Sequence, residues 1–352
     1  QAIGIPDWYV NREIDLTANG NFAAGDTILI RFRLFSDPYA NGWGWIIDNL
    51  HIQTIVSAED QKPILERLKS LNYESVSDCG GSATNSLVAA SNYGSKCHHV
   101  CRVSDDKDGN MYINSLKQAG VAHIGISDRN GDLPTGKCLI LVTPDAKRTM
   151  ISMLGVSEFL GKEDIDYDVV EDSRIFYIEG YMVTSEENFN AVISVLEHLK
   201  GKNIIKALSL ADAGLVKIFK DRFDKIESYG LDMIFCNDDE AIAFSQTQSI
   251  DEAISFYKQK EYITAVTRGA DGSSVVTAGK VINTAAEKID PIDTNGAGDM
   301  FAGSFMHAYL EGCNLSQCSS FANFASSLVV TTFGPRISSE RYSQILNKLR
   351  KG

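Results

Sequence analysis

Apolar residues in most of this chain fall into two patterns, short continuous runs and longer stretches with helical spacing. Short runs bounded by turn residues are typical of strands, and apolar positions three and four residues apart are typical of helices. The predicted strands are 138–143, 148–153, 175–178, 204–210, 233–236, 263–267 and 273–277. The predicted helices are 57–71, 83–90, 189–199, one that starts at 238, 297–311 and 316–331. Because strands alternate with helices, we predict an α/β fold, with a mostly parallel central sheet covered by helices on both faces.

The first part of the chain has a different pattern. Residues 28–35 alternate between apolar and polar positions as a half-buried strand does, and a second strand is predicted from residue 43. All three tryptophans lie in this part, at Trp8, Trp43 and Trp45. We therefore predict two parts, a β-rich segment over residues 1–53 and an α/β domain over residues 57–352. The first resembles the end of an extracellular β-sandwich module.

Composition narrows the possible partners and the compartment. A net charge of −13 argues against a nucleic-acid partner or an anionic membrane surface, since their phosphates would be repelled. No apolar run approaches the roughly 20 residues that a membrane helix needs. The seven cysteines are odd in number and contain no C-x-x-C pair, which favours reduced thiols and a cytoplasmic location. Since residue 1 is Gln and the first methionine is Met111, we expect a fragment or a joined sequence.

The most informative segment is Asp-Thr-Asn-Gly-Ala-Gly-Asp at 293–299. It lies between an extended run, 288–292, and an apolar helical pattern that begins at Met300 and ends at Gly312. Small residues at a helix start let an anion approach free backbone N–H groups, which is a common way to bind phosphate. Asp299 in the first turn could cap the helix, or it could act as a general base for an attacking hydroxyl.

Three further motifs have both a structural and a functional interpretation. The Gly-Gly turn at 80–81, followed by Asn85, is either a tight loop or part of a binding site. Asn237 and Glu240 could cap a helix, or could hold Mg²⁺ through water, because Mg²⁺ prefers oxygen ligands and retains several waters. The turn at 267–272 joins two strands and needs no further explanation as a hairpin. These motifs lie at strand ends or at the helix starts that follow them, where ligands of parallel sheets bind.

Together these motifs resemble the signature of the ribokinase-like (pfkB) carbohydrate kinases, and the similarity extends from about residue 57 to the C-terminus. Segments 135–150, 177–181 and 333–336 are similar to the bacterial adenosine-kinase-like branch. The resemblance implies a ribokinase-like fold with a small β lid. It also implies ATP-dependent phosphorylation of a primary hydroxyl on a nucleoside, adenosine first. A free sugar such as ribose or fructose is the alternative acceptor.

The resemblance also implies roles for individual residues. Asp299 is the expected catalytic base, with an anion hole formed by Gly296, Ala297 and Gly298. The residues expected around ATP and Mg²⁺ are Asn237, Glu240, Thr267, Gly269, Gly272, Thr294 and Asn323, and Asn237 and Glu240 are the metal-site pair. The residues expected around the acceptor are Gly80, Gly81, Asn85, Arg148 and Glu179, although Arg148 and Glu179 also fit a surface arginine and a strand-end glutamate. A monovalent cation such as K⁺ is a further expected cofactor, and the expected assembly is a monomer or homodimer.

Residues 1–53 depart from the family pattern. Family members open with a strand ending in Gly-Asn-x-x-x-Asp, whose Asp binds substrate hydroxyls, whereas residues 11–15 reproduce only the Asn-to-Asp spacing. Without that strand the sheet would lose a central member and the site would lose a hydroxyl clamp. Two alternatives therefore stay open: a catalytically impaired homologue, and a protein that binds ATP for assembly rather than catalysis. A secreted β-sandwich adhesin is a third hypothesis that depends on residues 1–53 only.

Overall fold

The computed structural model describes residues 53–55, 57–71, 77–128, 133–142 and 148–349. Its strands are β1 Gln53–Ile55, β2 His98–Ser104, β3 Ala122–Asp128, β4 Lys137–Val142, β5 Arg148–Met153, β6 Ile175–Glu179, β7 Ile205–Ser209, β8 Met233–Asn237, β9 Ile263–Thr267, β10 Ser273–Thr277 and β11 Lys280–Thr284. Its α-helices are α1 Ala58–Ser70, α2 Ser82–Asn92, α3 Lys107–Gln118, α4 Tyr167–Glu171, α5 Glu186–His198, α6 Ala213–Ile218, α7 Lys220–Glu227, α8 Asp238–Ser245, α9 Ile250–Tyr257, α10 Ala297–Leu310, α11 Leu315–Val329 and α12 Ser339–Leu349. The predicted β-rich segment at 1–53 lies almost wholly outside the described residues.

A six-stranded sheet with the order β11-β10-β9-β8-β7-β6 forms the centre of the described domain. Strands β6 to β9 pair in parallel, and β10 and β11 add two antiparallel strands at one edge. Within the described ranges β6 pairs with β7 alone, so it is the other edge. Met233 to Cys236 of β8 are all buried, as expected for a parallel strand that is covered on both faces. The burial of β8 therefore indicates that the sheet lies in the interior of the domain.

Two hydrophobic cores lie against the central sheet. One contains α10, α11 and α12, with Phe301, Phe305 and Phe321 among its buried side chains. The other contains residues of α5 to α9. Helix α10 is buried along its whole central part, from Met300 to Ala308, so it is an interior helix rather than an amphipathic surface helix. Its first turn is therefore fixed in place by the core.

Helix α10 approaches α2 unusually closely at Gly303. A Cβ atom added at Gly303 would lie 2.2 Å from the carbonyl oxygen of Ser86, so only glycine allows this contact. Since Ser86 is in the first turns of α2, the contact brings the N-terminal turns of the two helices together. Residues that are more than 200 positions apart in the sequence, Asn85 and Asp299, thereby become neighbours.

Two smaller sheets flank the domain. Strands β1, β5 and β4 form a three-stranded sheet in which β4 and β5 are the predicted hairpin. This sheet matches the expected small β lid, with β1 pairing in parallel with β5. Strands β2 and β3 form a separate parallel pair. Asp106 accepts hydrogen bonds from the backbone N–H and the hydroxyl of Thr135, at 2.9 and 2.7 Å. These bonds fix the segment that leads into β4.

The predicted α/β architecture is confirmed, and most predicted elements agree with the structure to within a few residues. Strands β2, β3 and β11 were not predicted, because their polar and charged residues interrupt the apolar pattern. Among the described residues, no helix combines the length and the apolar character needed to cross a membrane.

Candidate active site

Several predicted site residues lie at one edge of the central sheet. Glu179, Asn237 and Thr267 are the last residues of β6, β8 and β9, respectively. Asn237 and Thr267 are direct partners in the strand register. Because parallel strands end at the same edge, these three residues lie at one edge of the sheet, and the crevice outside that edge is the usual position of a ligand in this kind of fold.

The loop at 293–299 is held by its own first residue. The carboxylate of Asp293, only 4% exposed, accepts a hydrogen bond from the backbone N–H of Asn295 at 2.8 Å. It accepts a second from the N–H of Gly334 at 3.0 Å, which ties the loop to the segment between α11 and α12. Sequence reasoning did not assign a role to Asp293, although buried carboxylates need such partners.

Gly296 is required by the shape of this loop. It adopts the left-handed conformation, with φ 76°, immediately before α10 begins. A Cβ atom at this position would lie 2.6 Å from both the Cα and the carbonyl oxygen of Pro335. Backbone conformation and contact with Pro335 therefore both exclude a side chain here.

The first turn of α10 is open on its outer side. Gly298 is exposed, and a Cβ atom added there would meet no atom within 4 Å. The N–H groups of a first turn have no carbonyl partner within their own helix. The N–H of Ala297 makes a long contact of 3.4 Å to the carbonyl of Thr294, and the carbonyl of Ala297 accepts a hydrogen bond from the hydroxyl of Ser326. The turn therefore presents backbone N–H groups to a space that a small anionic group could occupy.

Asp299 is oriented by two side chains of α2. Its Oδ1 accepts a hydrogen bond from the hydroxyl of Ser82 at 2.7 Å, and its Oδ2 accepts one from Nδ2 of Asn85 at 2.8 Å. The N-cap of α2 is Gly81, with φ 96°, so the predicted Gly-Gly turn is the start of this helix. The turn at Gly80 and Gly81 thus leads directly into the residues that hold the carboxylate.

Asn237 and Glu240 form a reciprocal capping box at the start of α8. The side chain of Asn237 accepts from the N–H of Glu240 at 2.9 Å, and the carboxylate of Glu240 accepts from the N–H and Nδ2 of Asn237, at 3.0 and 2.7 Å. Burial raises the pKa of Glu240 to about 7; the bond from the Asn237 N–H opposes this, and the charges of Asp212, Asp239 and Asp299 add to it. The capping interpretation is therefore confirmed, and the Glu240 carboxylate lies within the electrostatic range of Asp299.

Glu179 lies between the end of β6 and the start of α2. Its carboxylate accepts a hydrogen bond from the N–H of Ala83 at 3.2 Å. Desolvation raises the pKa of Glu179 to about 7; the Ala83 bond opposes the rise, and the negative charge of Asp299 adds to it. Glu179, Glu240 and Asp299 thus concentrate negative charge in the crevice.

We expect Glu179 to make folding stability fall as the pH rises. Its ordinary pKa of 4.5 rises to about 7 in the folded protein, so the folded state binds more protons between these values. The free energy of unfolding should drop across that window and become level above it. Because Glu179 is only half-buried, water reduces the effect, and about 1–2 kcal/mol is expected.

Urea unfolding from pH 4.5 to 8.5 measures this change. Glu179→Gln stays neutral and can still accept the Ala83 bond, so it should match the original protein at pH 4.5 and exceed its stability at pH 8. Glu187→Gln, at an exposed position of α5, is the control and should leave the whole curve unchanged. A Glu179→Gln curve parallel to that of the original protein would contradict the assignment.

The remaining predicted nucleotide residues have structural partners. Gly269 and Gly272 bracket the short turn between β9 and β10, as predicted, and the hydroxyl of Thr267 donates to the carbonyl of Cys236 at 3.3 Å. Asn323 is 8% exposed and donates from Nδ2 to the carbonyl of Thr284 at 2.9 Å. The amide of Asn323 in α11 therefore holds the end of β11.

Comparison with known proteins places this geometry in a family. Residues 48–341 match the pfkB family of carbohydrate kinases. The chain belongs to the pfkB family. It is therefore a kinase, acting on a nucleoside or a sugar, and its match begins a few residues before the boundary expected from the motifs.

The proteins similar to this pfkB member include both nucleoside and sugar kinases. Adenosine kinase of Saccharomyces cerevisiae is 28% identical over 256 residues, covering 68% of this chain and 74% of the relative. Mouse ribokinase is 26% identical, covering 74% and 80%. Among solved structures, adenosine kinase from Sinorhizobium meliloti superposes with a TM-score of 0.77 at 28% identity, covering 82% of this chain and 88% of that one. A probable sugar kinase from Rhizobium etli gives 0.76 at 28% identity, covering 83% and 89%.

The structure of this pfkB member brings several of the predicted site residues together. Asn85 and Asp299 are bonded to each other, and Glu179 and Glu240 lie within range of the Asp299 charge. The side chain of Arg148 lies outside the described residues. Three contributors were missed from the sequence: Ser82, Asp293 and Arg336. Ser82 follows the Gly-Gly turn and could have been noticed as the first residue of α2, whereas Arg336 lies in the segment 333–336 that resembles the family but was assigned no role from the sequence.

Proposed function

We propose that this protein transfers the γ-phosphoryl group of ATP to a primary hydroxyl of a nucleoside, with adenosine as the first candidate. The observation that carries the proposal is the environment of Asp299. It lies in the first turn of α10, next to the exposed Gly298, and its Oδ1 accepts a hydrogen bond from the alcohol of Ser82 at 2.7 Å. An oxygen that accepts from one alcohol has the geometry to accept the proton of another.

The residues of the crevice have distinct roles in this proposal. Asp299 removes the proton from the attacking hydroxyl, and Asn85 keeps the carboxylate oriented. The N–H groups of Gly296, Ala297 and Gly298, together with the positive end of the α10 dipole, stabilise negative charge that develops on the phosphoryl oxygens. Such preorganised donors need no reorientation during the reaction.

The residues present fit the nucleotide and its metal ion. The open space at Gly298 would be filled by a Cβ atom, which suits the close approach of a phosphate to the backbone. Asn237 and Glu240 would hold Mg²⁺ through water, and Thr267, Gly269, Gly272, Thr294 and Asn323 would surround the nucleotide. When bound, Mg²⁺ neutralises phosphate charge next to the carboxylates of Glu179, Glu240 and Asp299.

The acceptor would bind on the other side of Asp299. Gly80, Gly81, Asn85, Arg148 and Glu179 are the proposed contacts. Adenosine is favoured because adenosine kinases are prominent among the relatives of the chain. A free sugar is the second candidate, supported by the similarity to mouse ribokinase.

A substrate panel with coupled ADP detection tests this function. Adenosine, other nucleosides, ribose and fructose are each supplied with ATP and Mg²⁺, with and without K⁺. We expect the highest kcat/KM with adenosine; a preference for a free sugar would select the second candidate. Folded protein that binds ATP but releases no ADP with any acceptor would favour a binding or assembly role.

A further inference from the structure

We propose that Arg336 is a positioning residue for phosphoryl transfer, which fixes the amide of Asn85 so that its NH₂ group holds the Asp299 carboxylate. Arg336 lies in the short segment between α11 and α12, far from both partners in sequence. Its Nε donates to Oδ1 of Asn85 at 2.9 Å, and its Nη1 donates to the hydroxyl of Ser115 at 2.9 Å. The catalytic consequence depends on the proposed function; the positioning of Asn85 does not.

The two ends of the Asn85 amide differ in the hydrogen bonds that they can make. An amide side chain has one acceptor end and one donor end, which can exchange places by rotation of the group. A guanidinium is only a donor, so the end that faces Arg336 must be the oxygen. The other end is then NH₂, and it faces a carboxylate that is only an acceptor when ionised, at 2.8 Å. Arg336 thereby excludes the rotated form, in which two oxygens would meet at Asp299.

Burial makes this orientation energetically important. Asn85 is 6% exposed, so water cannot readily replace a lost partner at either end of the amide. A buried polar group without a partner destabilises the folded protein, and hydrogen bonds to charged groups are among the stronger ones. Removal of the guanidinium would leave Oδ1 of Asn85 unpaired, and the amide would then be held at its NH₂ end only.

The segment that carries Arg336 also contacts the loop at 293–299. Gly334 donates to Asp293, and Pro335 packs on Gly296. Three consecutive residues thus contact the loop at 293–299 and α2 together. Arg336 contacts Asn85 of α2, which in turn holds the Asp299 carboxylate. Gly334 and Pro335 instead contact the loop that precedes α10, at Asp293 and Gly296.

A double-mutant cycle on kcat tests the proposal. Arg336→Gln should lower kcat by about 10- to 100-fold while KM for ATP changes by less than about threefold, because small displacements of reacting groups are costly. In an Asn85→Ala background the same change should lower kcat by less than about threefold. Equal losses in the two backgrounds would overturn the proposal.

Arg341→Gln is the matched control. Arg341 also ties elements together, donating to the carbonyl of Leu328 at 3.0 Å and to the hydroxyl of Thr331 at 2.9 Å, but it contacts none of the site residues. Arg341→Gln should lower the melting temperature by about as much as Arg336→Gln does, and it should leave kcat unchanged. A kcat loss in Arg341→Gln as large as that in Arg336→Gln would indicate a merely structural role and reject positioning.

A titration that needs no turnover completes the test. With ¹³C-labelled aspartate, NMR follows the ionisation of Asp299, whose charged form is stabilised by the Asn85 bond. In Arg336→Gln its pKa should rise, and in an Asn85→Ala background the same substitution should raise it by less, because only the direct effect of the lost charge remains. The nearby Glu179, Glu240 and Tyr177 are present in both proteins, so their contributions largely cancel. An unmoved titration would overturn the proposal.

The outcomes separate this inference from the proposed function. If the original protein shows no turnover with any acceptor, the proposed function fails, and the titration still decides whether Arg336 positions Asn85. Where Arg336→Gln does not fold, Arg336→Lys is used, since lysine keeps the charge without the planar fork. We then expect a partial kcat loss and a smaller titration shift, and a lysine variant unchanged in both would reject the inference.

Discussion

Replacement of Asp299 by asparagine is expected to lower kcat by about 10²–10⁴-fold, the contribution of a positioned general base. The change removes basicity and little else. The oxygen of the introduced amide can accept from Nδ2 of Asn85, and its NH₂ group can donate to the hydroxyl oxygen of Ser82, so these two contacts survive. The melting temperature should therefore stay close to that of the original protein.

Two measurements accompany this variant. ATP binding, followed by calorimetry, should persist in Asp299→Asn because the N–H groups of the α10 start are unaltered. Turnover is followed by coupled ADP detection with the best acceptor from the panel. Asp221→Asn, which changes an exposed carboxylate on α7, is the control and should retain full turnover. Near-normal kcat in Asp299→Asn would reject the assignment of the base.

The second large effect is expected when alanine replaces either of two glycines near the start of α10. Gly296→Ala should act on stability, and Gly298→Ala should act on ATP binding. Gly296→Ala forces a side chain into the left-handed conformation and against Pro335, and should destabilise the protein by about 2–4 kcal/mol. Gly298→Ala meets no atom within 4 Å and should keep the melting temperature, or raise it slightly, because alanine favours a helix. Its methyl group would nevertheless occupy the space proposed for a phosphate.

Steady-state kinetics and thermal unfolding distinguish the two cases. We expect Gly298→Ala to raise KM for ATP by at least about tenfold and to lower kcat, with KM for the acceptor nearly unchanged. Gly296→Ala should lose stability and activity together. If Gly298→Ala keeps the original KM for ATP, phosphate does not bind at the start of α10, and the proposed orientation of the nucleotide is wrong.

Local chemistry explains which features could be predicted from the sequence. The strands of the central sheet were visible because strands buried on both faces require continuous apolar runs, as in 233–236. The start of α10 was visible because a left-handed turn before a helix selects glycine, and the capping box of Asn237 and Glu240 because its spacing is fixed by one helical turn. The strands β2 and β11 were not predicted because their exposed positions carry polar residues.

The sequence by itself therefore determined the α/β class, the phosphate-type helix start and the identity of Asp299 as its acidic residue. Only the tertiary structure decided what orients that carboxylate. Asn85 and Arg336 are 251 positions apart and meet because Gly303 lets α10 press against α2, while Gly334 and Pro335 fix the segment before α12. Contacts between distant segments leave no periodic signal in a single chain, since they are set by packing rather than by local conformational preference.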